Sequence, residues 1–208
     1  LYPKSLQDVI KIVNIAIMHS TPLYPISRGK NIGYGSKAPV SENNILVDLS
    51  QMNKIRHIDK VHGYAIIEPG VTQKQLYNCI KEQNLPYIGD MTGAPSDASI
   101  IGNTLEGGFG HTPKGNRRKN TTDVEVVLGN GKVLQTGTFP NLGPDLSGLF
   151  IQSNFGIVTA MRIELMPKPE KYTSFLISVN EDAGLESLVE KLRMLRQQET
   201  ITSLVHIG

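Results

Sequence analysis

Apolar positions recur at helical spacing in three places along the 208-residue chain. The first follows Ser5, with Asp8 three positions on as its capping-box partner. Val9, Ile12, Val13, Ala16 and Ile17 then share one face. Thr72 with Gln75 signals the second, which carries Leu76, Cys79 and Ile80 on one side. Short β-type runs occupy residues 23–27, 45–49, 55–59 and 64–68. Residues 123–128 and 132–136 flank Gly129-Asn130-Gly131 and read as a hairpin. Over 156–165, Ile157, Thr159, Met161, Ile163 and Leu165 alternate with Val158, Ala160, Arg162 and Glu164, which predicts a strand with one apolar face. Pro167 and Pro169 then mark a boundary. Beyond them a strand at 172–179, the third helix at 185–197 and a strand at 201–207 make a β-α-β unit that stops before completing a sheet.

Residues 89–115 break this pattern. They hold 7 of the 20 glycines, few charges and no sustained periodicity, and a long glycine-rich segment inside a domain is usually functional or disordered. Composition adds mainly exclusions. A net charge of +2 is too small to imply a nucleic-acid or membrane surface. The run Arg117-Arg118-Lys119 reads as a solvated loop. The one cysteine, Cys79, excludes an internal disulfide framework and any multi-cysteine metal site, and it suits an apolar place on its helix. No run of about 18 apolar residues suggests a membrane span. The chain starts at Leu1 rather than methionine and ends inside an incomplete unit, so we expect a fragment of a longer protein. Its default compartment is the cytoplasm, and homo-oligomerisation stays open.

Two segments carry candidate chemistry. Ser27-Arg28-Gly29-Lys30-Asn31-Ile32-Gly33-Tyr34-Gly35 follows a predicted strand, and closely spaced glycines let backbone N–H groups converge on an anion such as a diphosphate. Ser27 and Asn31 add side-chain donors. A plain glycine-rich turn is the competing reading. The second segment, Ser99 to Thr112, contains Gly102, Asn103, Gly107, Gly108, Gly110 and His111. Its small residues would let a flat ring system lie against backbone, although a loop needing glycine for its turns has the same appearance. Other motifs fail. Gly110 and Gly115 have P-loop spacing, but Asn116 stands where lysine is needed. No G-x-G-x-x-G opens a helix after a strand, no G-x-S-x-G is present, and the histidines lack metal-ligand spacing.

Taken in order, the segment 27–35, Glu68-Pro69-Gly70-Val71, Ser99-x-x-Gly102-Asn103, Gly108-Phe109-Gly110-His111-Thr112-Pro113 and the stretch from Gly148 through Gln152-Ser153-Asn154 to Gly156-Ile157-Val158-Thr159 resemble one family. It is the vanillyl-alcohol oxidase / p-cresol methylhydroxylase flavoproteins, in the branch that oxidises 4-alkylphenols. The resemblance runs from Tyr2 to about Arg196. It implies an α+β fold: a two-lobed FAD-binding domain over 1–167, with lobes of about 1–62 and 63–167, then the truncated start of an α+β cap domain at 168–208. It implies FAD contacts from Ser27, Arg28, Gly29, Lys30, Asn31, Ile32 and Gly33. Further contacts are implied from Pro69, Gly70, Val71, Ser99, Gly102, Asn103, Gly108, Gly110, Gly156, Ile157 and Val158.

In the phenol-oxidising members, hydride passes from a benzylic carbon to flavin N5, and ionising the phenol assists because the oxyanion stabilises the quinone methide that forms. Tyr34 matches a tyrosine that helps hold the phenolate; its structural alternative is a tyrosine packed beside the loop. His111 is the second catalytic candidate. Two departures bear on substrate. Ala94 stands where the family carries an aspartate near N5, and His111 replaces a tyrosine. The sequence therefore supports an FAD-dependent oxidase or dehydrogenase of a 4-alkylphenol or aryl alcohol, reoxidised by oxygen or a cytochrome. The alternatives are a hydroxy-acid or other alcohol enzyme on the same fold, and a flavin-binding module without turnover.

Overall fold

A computed structural model describes residues 1–39, 41–137, 144–173, 175–179, 183–203 and 205. The chain opens with helix α1 (Leu6–Met18). Ser5 Oγ accepts the Asp8 N–H at 3.2 Å while the Asp8 carboxylate accepts the Lys4 N–H at 3.0 Å, a reciprocal cap worth about 1 kcal/mol. Val9, Val13 and Ala16 are buried as the spacing predicts, but Ile17 is about half exposed. Strands β1 (Leu23–Ile26) and β2 (Ile45–Asp48) pair in parallel. A parallel pair cannot be joined by a tight turn, so the chain between them must travel back along the strand. That return path is the first glycine segment.

The main sheet has five strands in the order β3-β4-β8-β6-β7 and is antiparallel throughout. These are β3 (Ile55–Asp59), β4 (Tyr64–Ile67), β6 (Thr121–Leu128), β7 (Val133–Gln135) and β8 (Gly156–Glu164). The β6–β7 connection is the expected hairpin, with Gly131 at φ +76°, a left-handed conformation that suits glycine. Helices α2 (Gln73–Glu82) and α3 (Ile100–Leu105) contribute Leu76, Ile80, Ile100 and Ile101 to a core with Ala65, Ile67, Val126 and Met161 of the sheet. Full burial of each of these side chains other than Ala65 stabilises by about 1.5–3 kcal/mol. A second core joins Val9 and Val13 of α1 to Val47, Leu49, Met52, Val127 and Ile157.

The structure corrects several expectations. Strand β8 buries both faces, not one, from Ile157 to Met161. Its register against β6 slips where Thr159 is inserted between the Ala160–Glu125 and Val158–Val126 pairs. This bulge reverses the phase of alternation, so Val158 joins Met161 and Ile163 in the first core and Ile157 enters the second. Residues 89–115 are not wholly irregular, since α3 lies within them. A two-residue pair, β5 (Tyr87–Ile88) with β9 (Met166–Pro167), also escaped the pattern. The third predicted helix is α4 (Ala183–Gln197). No strand forms among the described residues of 172–179 or 201–207; Ser174, Leu204, His206 and Ile207 lie outside them. Among the described residues no helix is long and apolar enough to cross a membrane.

Candidate functional site

The two glycine segments, read separately in the sequence, meet in space. Asn31 Nδ2 donates to the Ser99 carbonyl at 3.2 Å. A Cβ built on Gly102 would stand 3.1 Å from Ser27 Cβ and 3.2 Å from Asn31 Nδ2. Glycine thus lets the first turn of α3 lie directly on the β1–β2 loop. Ser99 caps that turn, accepting the Gly102 N–H at 2.9 Å, and gives its own hydroxyl proton to the Pro69 carbonyl at 2.6 Å. Arg28 reaches the Gly70 carbonyl at 3.2 Å. Gly70 itself is packed so tightly that a Cβ would strike the Ser50 and Met52 carbonyls. Pro69, Gly70, Val71, Ser99 and the 27–35 loop therefore form one interlocked unit. Beneath it the buried Glu68 carboxylate accepts the Lys54 N–H at 2.9 Å and the Arg56 Nε at 3.1 Å, which fixes the entry to the turn.

The loop has the properties of an anion cradle. Gly29, Gly33 and Gly35 sit at φ +60°, +89° and +85°, and the space beside Gly33 and Gly35 is open. The backbone N–H groups from Arg28 to Gly33 give no hydrogen bond to any described residue. A run of such amides, alternating with left-handed residues, binds anions through converging dipoles. Lys30 is half exposed and 3.7 Å from Asp97, and Ile32 is largely exposed.

Next to the cradle a cleft of about 610 Å³ opens between β1, the end of α3 and the start of β8. That lies within the size range of small-molecule and cofactor sites. Ser27, Gly156, Ile157 and Val158 line it, as do Ile26, Leu49, Leu105 and Phe150, with Glu106, Gln152, Ser153 and Asn154 as polar groups. Among the described residues of the two glycine segments, three buried polar atoms have no protein partner: Arg28 Nε, Asn31 Oδ1 and Asn103 Oδ1. Buried polar groups are otherwise almost always paired. FAD fits this set. Its diphosphate would suit the unbonded amides of the 28–33 loop and the neighbouring Arg28.

Tyr34 and Asn103 touch: Asn103 Nδ2 donates to the Tyr34 hydroxyl at 2.9 Å. Gly108 backs this pair, because a Cβ there would overlap the Asn103 carboxamide. His111 lies elsewhere on the same segment. Its N–H donates to the Met91 carbonyl at 2.7 Å, and its ring covers Gly93, beside Ala94. The Thr92–Pro95 loop is held by the buried Gln73, whose amide donates to the Ala94 and Pro95 carbonyls and whose oxygen accepts the Thr92 N–H at 2.7 Å. Gly110 faces Asp90 rather than the cleft, and a Cβ there would collide with that carboxylate.

The basic run is not a solvated loop throughout. Arg117 is 4% exposed and pairs with Asp90 at 3.0 Å, while donating to the Asp90 and Ile100 carbonyls. Burial pulls the Arg117 guanidinium below its ordinary pKa, and Asp90 offsets part of that. Thr112 completes the cluster on Asp90. Arg118 donates to Gln152 at 2.7 Å. Sequence reasoning missed Asp90, Arg117 and Gln73. Phe150, Gln152, Ser153 and Asn154 belong to the 148–159 motif, but only the fold brings them to the cleft.

The FAD binding domain family matches this chain over residues 1–137. A curated relative, the 4-cresol dehydrogenase [hydroxylating] flavoprotein subunit of Pseudomonas putida, is 40% identical over 217 aligned residues, covering 99% of this chain and 41% of the relative. The 1'-carboxy-chondrochloren decarboxylase of Chondromyces crocatus is 38% identical, covering 94% of this chain and 38% of its own length. Among solved structures, p-cresol methylhydroxylase with substrate bound superposes with a TM-score of 0.90 at 39% identity, over 98% of this chain and 42% of that one. The chain spans about two fifths of the length of these relatives.

Proposed function

Because the chain belongs to the FAD binding domain family, in its p-cresol methylhydroxylase-type branch, we propose that it is the cofactor-holding part of an oxidoreductase. That enzyme takes hydride from the benzylic carbon of a 4-alkylphenol or aryl alcohol. FAD, when bound, supplies the hydride acceptor. The amides of 28–33 and Arg28 would hold its diphosphate, and the cleft lined by Ser27, Gly156, Ile157 and Val158 would take a further part of the dinucleotide. We assign residues 1–167 to this domain and 168–208 to the beginning of a substrate-covering one. The Pseudomonas relative is a flavoprotein subunit, so an electron-accepting partner belongs to this reading.

The observation that carries the substrate class is Tyr34, fixed where the two glycine segments join, with its hydroxyl 2.9 Å from Asn103. A donor aimed at a developing phenolate lowers the barrier electrostatically. His111, beside Gly93, is the second polar group on this segment. Ala94, at the place where the family carries an acid, favours the other reading, an FAD-linked enzyme of a hydroxy acid or another alcohol. Anaerobic mixing of the full-length protein with 4-methylphenol, 4-ethylphenol or a D-2-hydroxy acid separates them. Loss of the oxidised flavin bands with the phenols alone supports the first reading; loss with the hydroxy acid alone replaces it with the second.

A further inference from the structure

A tyrosine hydroxyl has one proton to give and lone pairs with which to accept. Asn103 Nδ2 can only donate, so at 2.9 Å it occupies an acceptor position on Tyr34 and leaves the Tyr34 proton unengaged. Asn103 is 4% exposed, and its other carboxamide atom, Oδ1, is buried without a partner. Its main chain is held independently of Tyr34: its N–H donates to the Ser99 carbonyl at 3.3 Å, and its carbonyl accepts the Gly108 N–H at 2.8 Å. The side-chain direction is set by Gly108, whose missing Cβ leaves the room that the carboxamide fills.

We propose that Asn103 is a positioning residue that makes the Tyr34 hydroxyl a dedicated donor toward the oxygen of the substrate, and that position 108 is glycine in order to keep Asn103 so aimed. This rests on the phenol reading above and adds to it a reason for the donor polarity. The N–H of Asn103 also polarises the Tyr34 O–H, since hydrogen bonds in a chain strengthen one another. Aspartate at 103 would reverse the arrangement. Its carboxylate only accepts, so it would capture the Tyr34 proton and turn the hydroxyl oxygen, instead of the hydrogen, toward the ligand.

The test uses the full-length, flavin-loaded protein and 4-bromophenol, which has no benzylic hydrogen to lose, with 4-bromoanisole as the ligand lacking the hydroxyl. Dissociation constants are read from perturbation of the flavin spectrum, per bound flavin. Asn103→Asp is expected to weaken 4-bromophenol about tenfold or more, the scale of one hydrogen bond to a charged group, while 4-bromoanisole is unmoved. Gly108→Ala should reproduce the loss. In a Tyr34→Phe background Asn103→Asp should add nothing. Additive losses, or tight 4-bromophenol binding by Asn103→Asp, overturn the proposal. If the parent does not prefer 4-bromophenol to 4-bromoanisole, the phenol reading itself falls, and with it the donor's target. The Asn103–Tyr34 coupling is decided separately by protein carrying 13Cζ-tyrosine. The resonance that disappears in Tyr34→Phe should shift in Asn103→Asp and Gly108→Ala, and an unmoved resonance overturns the coupling whatever the substrate.

Discussion

Asn31 and Ser99 lie 68 positions apart in sequence and are joined by a 3.2 Å hydrogen bond from the Asn31 carboxamide to the Ser99 carbonyl. This contact closes the seam between the β1–β2 loop and the cap of α3, so the two glycine segments pack directly on each other. Because the seam is so close, Gly102 is its most sensitive point. Gly102→Val places branched carbon where Ser27 and Asn31 already stand at 3.1–3.2 Å from a Cβ. Overpacking of this kind costs about 1–3 kcal/mol. A lowered urea midpoint together with weaker FAD retention is expected. Retention of both parent values would mean the seam yields freely.

Arg117 and Asp90 form a buried pair beneath the second glycine segment. Removing one member strands the other, at a cost of about 3–5 kcal/mol. Arg117→Met should therefore lower the denaturation midpoint sharply, whereas Arg118→Met, at an exposed residue, should change it little. Equal midpoints for the two variants would contradict the burial of Arg117.

Tyr34→Phe keeps the ring and removes the hydroxyl. Loss of one donor at a developing oxyanion lowers kcat by about 10²-fold or more. Phenol turnover should fall on that scale while flavin content per protein stays at the parent value. A parallel loss of flavin would make Tyr34 a packing residue of the loop.

The sequence made the strands and capped helices legible because their signals are local. Ser5 and Thr72 cap as their spacing suggests, and Gly129-Asn130-Gly131 makes its hairpin. Helix α3 was not visible because six residues that include Gly102, Asn103 and Thr104 are too few to show a periodicity. Arg117 looked solvated because its partner lies 27 positions earlier in an aperiodic stretch. The Thr159 bulge leaves no mark in composition, yet it decides which core Ile157 and Val158 enter. The 27–35 loop stood out from its glycines as a candidate anion cradle, while its contact with Ser99 and Gly102 could come only from the fold.

Asp59 gives a pH signature remote from the site. The His62 backbone N–H first, then the His62 ring and the Val61 N–H, hold its carboxyl well below the ordinary range. A depressed folded-state pKa means the contribution to stability is complete above the unfolded value of about 3.9 and is lost as pH falls below it. Between about pH 4 and pH 2, the parent should therefore lose stability more steeply than Asp59→Asn. Parallel pH profiles would show that the carboxylate is not engaged in the folded state.

Gly33→Val in the full-length protein tests most directly whether bare amides of the β1–β2 loop grip the cofactor. Gly33 sits at φ +89°, and a Cβ added there meets no described residue within 4 Å, so the substitution bears mainly on the loop's backbone conformation and on whatever approaches it. Equilibrium titration with FAD, followed by flavin fluorescence, should show affinity reduced more than tenfold, in a protein whose circular dichroism matches the parent. Unchanged FAD affinity in that variant would contradict the cradle.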